Sequence, residues 1–295
     1  MQTCDLCINS KDIIESKRPE DAEFSISCNP VRLLVGCGML AILSPAKTLD
    51  YDSPVAADLH TKPDFLREAS ELIRELRKLS EGELAALMSI SPKLAALNWE
   101  RIRAWKPPFT LDNARPALFA FKGDVYRGFD LSAFDRADFE YAQKHLRILS
   151  GLYGVLRPMD LMQPYRLEMG TDLITKRGRN LYEFWGQQIA EALNAAVEQS
   201  GTDLLVNLAS KEYFQAVDLD RLRARVVTPV FKDGKPGKYR VLALFAKQAR
   251  GTMSDYLIRE RVRTIRKIRE FRGMGYVWNE ELSQGDELVF TRERG

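Results

Sequence analysis

Cysteine, histidine and long apolar runs are scarce in this 295-residue chain. All four cysteines, Cys4, Cys7, Cys28 and Cys37, precede Met39, and none follows it. The cysteine-free body gives no sign of an oxidising compartment. The two histidines, His60 and His145, argue against His-rich metal chemistry. A direct iron site wants His, Cys or clustered carboxylates. The body has no Cys and no E-x-x-H pair, so it does not read as an iron chelator or a ferritin-like store. The longest nearly apolar run is Leu33 to Leu43, eleven residues including two glycines. A membrane-spanning helix needs about 20. A secretory signal would open with its basic and apolar regions, not follow some 30 mixed residues. The expectation is a cytoplasmic protein with no membrane partner, no cofactor and no bound metal. Repeats and low-complexity linkers are also missing after Met39. Charge of one sign does not dominate, because 44 basic residues face 41 acidic ones, for a net +3. That is too balanced for a polycationic tail protein and too weak to prove a nucleic-acid partner.

The length is a prior for one or two domains. Residues 1–38 stand apart from the rest. They carry four basic and six acidic residues, which leaves 40 basic and 35 acidic residues from Met39 onward. The basic character therefore belongs to the body. Cys4-Asp5-Leu6-Cys7 has the spacing of half a zinc site, but Cys28 and Cys37 lie nine apart and no His completes it. Residues 1–38 are read as a disordered or spurious leader, with the natural start at Met39 and a single domain over 39–295.

The body interleaves helical and strand patterns. Leu40 to Leu43 reads as a buried first strand. Apolar residues at spacings of three and four mark a helix from Asp64 to Leu79. Ser80-Glu81-Gly82-Glu83 is a capping box that opens a short helix to Met88. Ser91-Pro92 opens a third, running to about Trp105. Ala117 to Phe121 reads as a strand and Asp138 to Leu149 as a helix. Asn180 opens a helix to about Gln199, closed by Gly201. Asp203 to Leu208 reads as a strand. Val226–Phe231 and Tyr239–Phe245 read as a hairpin. Lys247 to Arg272 reads as mainly helical and very basic, with Arg259, Arg263, Arg266 and Lys267 on one face. Tyr276–Trp278 and Glu287–Thr291 read as closing strands. The expected class is α+β, a single domain with a mixed sheet flanked by helices.

Polar residues gather where these strands end, and sites usually sit there. Lys47, Lys122, Arg157, Arg166, Lys247 and Arg250 are candidates to line one cationic cleft that focuses potential onto an anion. The alternative is that they form ordinary ion pairs with Asp124, Glu168 and other carboxylates. Ser44 and Lys47 have the spacing of a Ser-x-x-Lys nucleophile and base, and Lys122, Asp124 and Tyr126 are candidate acid, base or oxyanion partners. Asp135, Asp138 and Glu140 cluster, and their simplest reading is the acidic start of a helix.

Six segments in order resemble the YaaA family of bacterial peroxide-stress proteins. They are Leu43–Leu49, Ala120–Tyr126, Leu149–Pro158 continuing through Asp160–Gly170, Asn207–Ser210 with Tyr213-Phe214, and Lys247–Met253. The resemblance spans 39 to about 291 and leaves 1–38 outside. It implies an unusual fold and a cytosolic protein that protects cells from hydrogen peroxide and limits iron-driven damage. It also implies DNA binding through a positively charged cleft and a helix-hairpin-helix element. For that element the glycines of Gly151-Leu152-Tyr153-Gly154 are one candidate and the 64–105 helices another. The anion-binding set is Lys47, Lys122, Tyr126, Gly151, Gly154, Arg157, Arg166, Lys247 and Arg250. Contacts of this kind fix position without reading sequence, so the expected partner is double-stranded or structured DNA, selected by shape. The alternative function is an enzyme acting on a small anionic or nucleotide-like substrate in the same pocket.

Overall fold

The structure, a computed structural model, describes residues 38–55 and 57–293. The Cys4-x-x-Cys7 motif and residues 1–37 of the leader lie outside the described residues. Seven strands make the main sheet: β1 (Leu40–Leu43), β2 (Leu146–Ser150), β3 (Gly154–Leu156), β4 (Leu204–Leu208), β5 (Arg225–Gly234), β6 (Val277–Trp278) and β7 (Glu287–Glu293). Their spatial order is β6-β7-β5-β4-β1-β2-β3. The five central strands run parallel, and the edge strands β3 and β6 run antiparallel to their neighbours. This is the expected mixed sheet of an α+β domain. Every residue of β1, β2 and β4 is buried. Covered on both faces, such strands read as continuous apolar runs. β5 instead alternates buried and half-buried positions.

Six longer helices accompany the sheet: α1 (Leu66–Leu76), α2 (Glu81–Met88), α3 (Pro92–Ala104), α4 (Arg136–His145), α5 (Gln188–Ser200) and α6 (Ala243–Arg259). The capping chemistry is as expected. The Ser80 hydroxyl and the Glu83 carboxylate satisfy each other's backbone N–H groups, Ser91 caps α3 with Pro92 behind it, and Gly201 closes α5 in the left-handed region. Asp135 and Asp138 form a capping box at the start of α4, which accounts for that acidic cluster.

Several expected elements differ. Residues 146–150 are a strand, not the end of a helix, because Ala41, Ile42 and Leu43 pair with Leu146, Arg147 and Ile148. Ala117–Ala120 is a short helix ahead of the two-residue strand Phe121–Lys122. The 180–199 helix is two, Leu181–Trp185 and α5, divided at Gly186 with φ +48°. After the Lys232–Gly237 turn, a single bridge from Asp233 to Arg240 replaces the second hairpin strand, and the chain enters α6. The basic 247–272 stretch breaks after Arg259 and restarts at Ile265 under a Thr264 cap. Arg259, Arg263, Arg266 and Lys267 therefore share no single helix face. Arg259 pairs with Asp255, Arg261 with Asp138 and Lys267 with Glu270.

Candidate functional site

In the main sheet, β1 continues toward β2 on one side, while β4, on its other side, continues toward β5. The connections diverge at the β1–β4 boundary. In open sheets with parallel strands, a crevice for ligands forms at such a boundary, outside the carboxyl ends of the strands. A cleft of about 430 Å³ lies there. Ser44 follows β1 and Ser210 follows β4, and both line it. The Ser44 hydroxyl accepts the Ser210 N–H at 2.8 Å and donates to the Ser210 hydroxyl at 3.2 Å.

Three further segments complete the walls. Thr48–Leu49 pairs antiparallel with Phe121–Lys122, with Thr48 opposite Lys122. This brings Lys47, Lys122 and Asp124 to the same opening. Tyr165, Arg166 and Glu168 come from the loop after β3, and Lys247 and Arg250 from one face of α6. α6 comes close because of glycine. A Cβ on Gly251 would fall 1.7 Å from the Val125 carbonyl oxygen, and one on Gly128 2.3 Å from the Thr252 nitrogen. Only bare backbone permits that approach. Arg250 is next to this contact, so its position beside the 122–125 loop follows from it.

The charges fall into two groups. Glu168 bridges Lys47 at 2.6 Å and Arg166 at 2.9 Å. Lys122 pairs with Asp50 at 3.0 Å. The N–H and hydroxyl of Ser53, and then Lys122, hold the Asp50 carboxyl well below the usual carboxylate range. Lys247 and Arg250, in contrast, have no carboxylate partner among the described residues. Burial alone pulls the Arg250 guanidinium below its ordinary range. Lys47 and Lys122 are exposed at the rim, with 64% and 58% of their side-chain surface open. Arg166 lies deeper, at 16%, and its buried Nε has no hydrogen-bond partner. The cleft thus presents an exposed rim of cations and a floor where positive charge is only partly neutralised.

The chain matches the family model of the peroxide stress protein YaaA over residues 39–282. It belongs to that family. Its role is in the response to peroxide stress, and the match begins at the Met39 where the composition changes. No helix of the described residues is long and apolar enough to cross a membrane.

Among the residues expected to bind anions in this YaaA family member, Lys47, Lys122, Arg166, Lys247 and Arg250 line the cleft together. Four do not line it. Tyr126 is buried, and its hydroxyl donates to the Ser44 carbonyl at 3.1 Å, so it positions the β1 loop from behind. Arg157 sits in a separate network. Its N–H and Nε donate to Asp160, and its Nη2 reaches the Lys62 carbonyl and Asp64. Burial pushes the Asp160 carboxyl up to about 6 despite Arg157 beside it. The Gly151 carbonyl accepts the Trp185 indole N–H at 2.9 Å. Gly154, at φ +65°, has no room for a Cβ against the same ring. These two glycines belong to the turn between the antiparallel strands β2 and β3, where Ser150 faces Gly154. That turn is a β-hairpin, which removes the 151–154 candidate for a helix-hairpin-helix. The α2–α3 pair is the remaining candidate, with Ser89 left-handed at φ 50° between them. A second cavity of about 380 Å³ connects its Met88 and Ser89 to the Arg166–Glu168 wall.

For the Ser-x-x-Lys candidate, both residues line the cleft, with Lys47 Nζ paired to Glu168 and the Ser44 hydroxyl bonded to Ser210; among the described residues no hydrogen bond joins the two. Sequence reasoning misses Asp50 and Glu212. Glu212 lines the cleft and accepts the Gly170 N–H at 3.1 Å. An acid in the first turn after Ser210 was its only local signal.

Proposed function

We propose that the protein protects DNA during peroxide stress by binding duplex or structured DNA across the mouth of this cleft, in the cytoplasm. The observation that supports this most is the pair Lys247 and Arg250. These cations lack carboxylate partners among the described residues and face the same opening as the rim lysines Lys47 and Lys122. Phosphates laid across the mouth would meet both sets. The α2–α3 pair at the neighbouring cavity offers a further backbone contact without base readout, consistent with selection by shape.

Binding of this kind releases the cations condensed on the duplex. Iron(II) associated with phosphates is among the ions displaced, and oxidant formed by iron is then formed away from the DNA. This links a phosphate-binding cleft to lower iron-driven damage without an iron site on the protein.

The test is fluorescence anisotropy of duplex, bulged and single-stranded DNA at several salt concentrations. The wild-type chain should bind with a log–log salt slope near −0.9 per phosphate neutralised. The double variant Lys122→Ala, Lys247→Ala should lose roughly two phosphates' worth of slope. Binding that is indifferent to salt or to these two residues contradicts the reading.

A further inference from the structure

The cleft has a floor as well as a rim, and the two differ in chemistry. The rim lysines are long, exposed and suited to passing phosphodiesters. The floor holds Ser44, with 9% of its surface exposed, and Arg166, whose buried Nε is unpartnered. Arg250 reaches the same cavity without a carboxylate partner among the described residues. Ser210 adds a hydroxyl that accepts from Ser44. Among the described residues no contact has that hydroxyl donating its own proton. Pro45, Val125, Leu208 and Tyr213 supply apolar wall. Unpaired charge removed from water is destabilising unless an anion completes it.

We infer that this floor is a binding site for a phosphate monoester, deeper than the duplex contacts of the proposed function and resting on the same cleft. A monoester carries about −1.5 to −2 charge at neutral pH and three terminal oxygens. A backbone diester carries a single charge and two free oxygens. The Arg250 guanidinium, the Lys247 ammonium and the Ser210 hydroxyl match the monoester in charge and in donors, and Arg166, whose Nη2 is held by Glu168, adds its unpartnered Nε–H. The cavity, about 430 Å³, lies within the range of small-ligand pockets, so a nucleoside-sized group fits behind the phosphate. The monoester has two natural sources, a free mononucleotide or the 5′-phosphate at a DNA end.

Calorimetric titration of the full chain with dAMP and with deoxyadenosine tests the first source. Anisotropy with blunt duplexes bearing a 5′-phosphate or a 5′-hydroxyl tests the second. At least one phosphorylated probe should bind tenfold or more tighter than its unphosphorylated partner. Arg250→Gln should weaken binding of the phosphorylated probe by about tenfold or more and so remove most of that preference, as expected for loss of a hydrogen bond to a charged group. Should that variant fail to fold, judged by its melting curve, Ser210→Ala provides the readout and should reduce the preference in the same sense. Equal binding of phosphorylated and unphosphorylated probes overturns the inference, as does a preference unchanged in the folded variants. Duplex binding with no preference for the 5′-phosphate end and no preference for dAMP over deoxyadenosine would leave the proposed function standing and remove only the floor site.

Discussion

Glu168 decides how much of the cleft's positive charge is available, because its two oxygens hold Lys47 and Arg166 at once. It occupies the place an incoming anion would take between them. Glu168→Gln removes that competitor and keeps the shape. Duplex affinity at low salt should rise several-fold, and the salt slope should steepen by about 0.9 for each cation newly engaged with phosphate. An unchanged or weaker affinity in a folded variant, measured by the same anisotropy titration, would contradict this role. At this scale the sequence was informative about residue type and poor about partners. Lys47, Lys122 and Arg166 stand beside strand ends or turns, which made them candidates, whereas Lys247 and Arg250 lie within α6 and their place in the cleft depends on how that helix packs. Arg157 has the same local appearance. Asp160, three residues on, is a local partner, but the pairing with Asp64 depends on a loop 93 residues earlier, which no local pattern reports. The expectation of ordinary ion pairs was also correct in part, since Glu168 and Asp50 neutralise three of the cleft's cations.

At the scale of elements, the contact between α6 and the 126–128 turn places two of the cleft's cations. Gly251→Ala would drive a methyl into the Val125 carbonyl, where a Cβ has only 1.7 Å. Overpacking of this kind costs about 1–3 kcal/mol. The melting temperature should fall, and DNA affinity should fall too, because Lys247 and Arg250 move away from Lys122. Gly82→Ala is the contrast. A Cβ there meets nothing within 4 Å, and its place inside α2 makes alanine worth up to about 1 kcal/mol of added stability. Thermal melts of the two variants in parallel check both, and a Gly251→Ala protein as stable and as active as wild type would contradict the packing role.

Elements marked by caps or by sustained periodicity were readable: α1, α2, α3 and the strands β1 and β4. The failures have specific causes. Leu146, Ile148 and Leu149 continue the α4 pattern, but pairing beside β1 overrides it. Val241 to Phe245 is an unbroken apolar run, which periodicity alone cannot assign to strand or helix. Its continuation through Ala246, Ala249, Met253 and Leu257, all buried at helical spacing, is the signal that favours α6.

At the scale of the molecule, topology gathers several of the body's basic residues at one cleft. The order of the sheet puts β4 and β1 side by side with their connections leading apart, and the cleft forms at that boundary. Neither strand's sequence reveals its neighbour, so the site's location was the least legible feature. A rival surface exists along 259–272, where Arg263 and Arg266 add to partly paired neighbours. Hydrogen–deuterium exchange of the full chain with and without duplex DNA separates the two. Protection should appear at residues 44–48, 122–128 and 247–253. Protection confined to 259–272, or absent from the cleft while DNA is demonstrably bound, would contradict the assignment of DNA to this cleft.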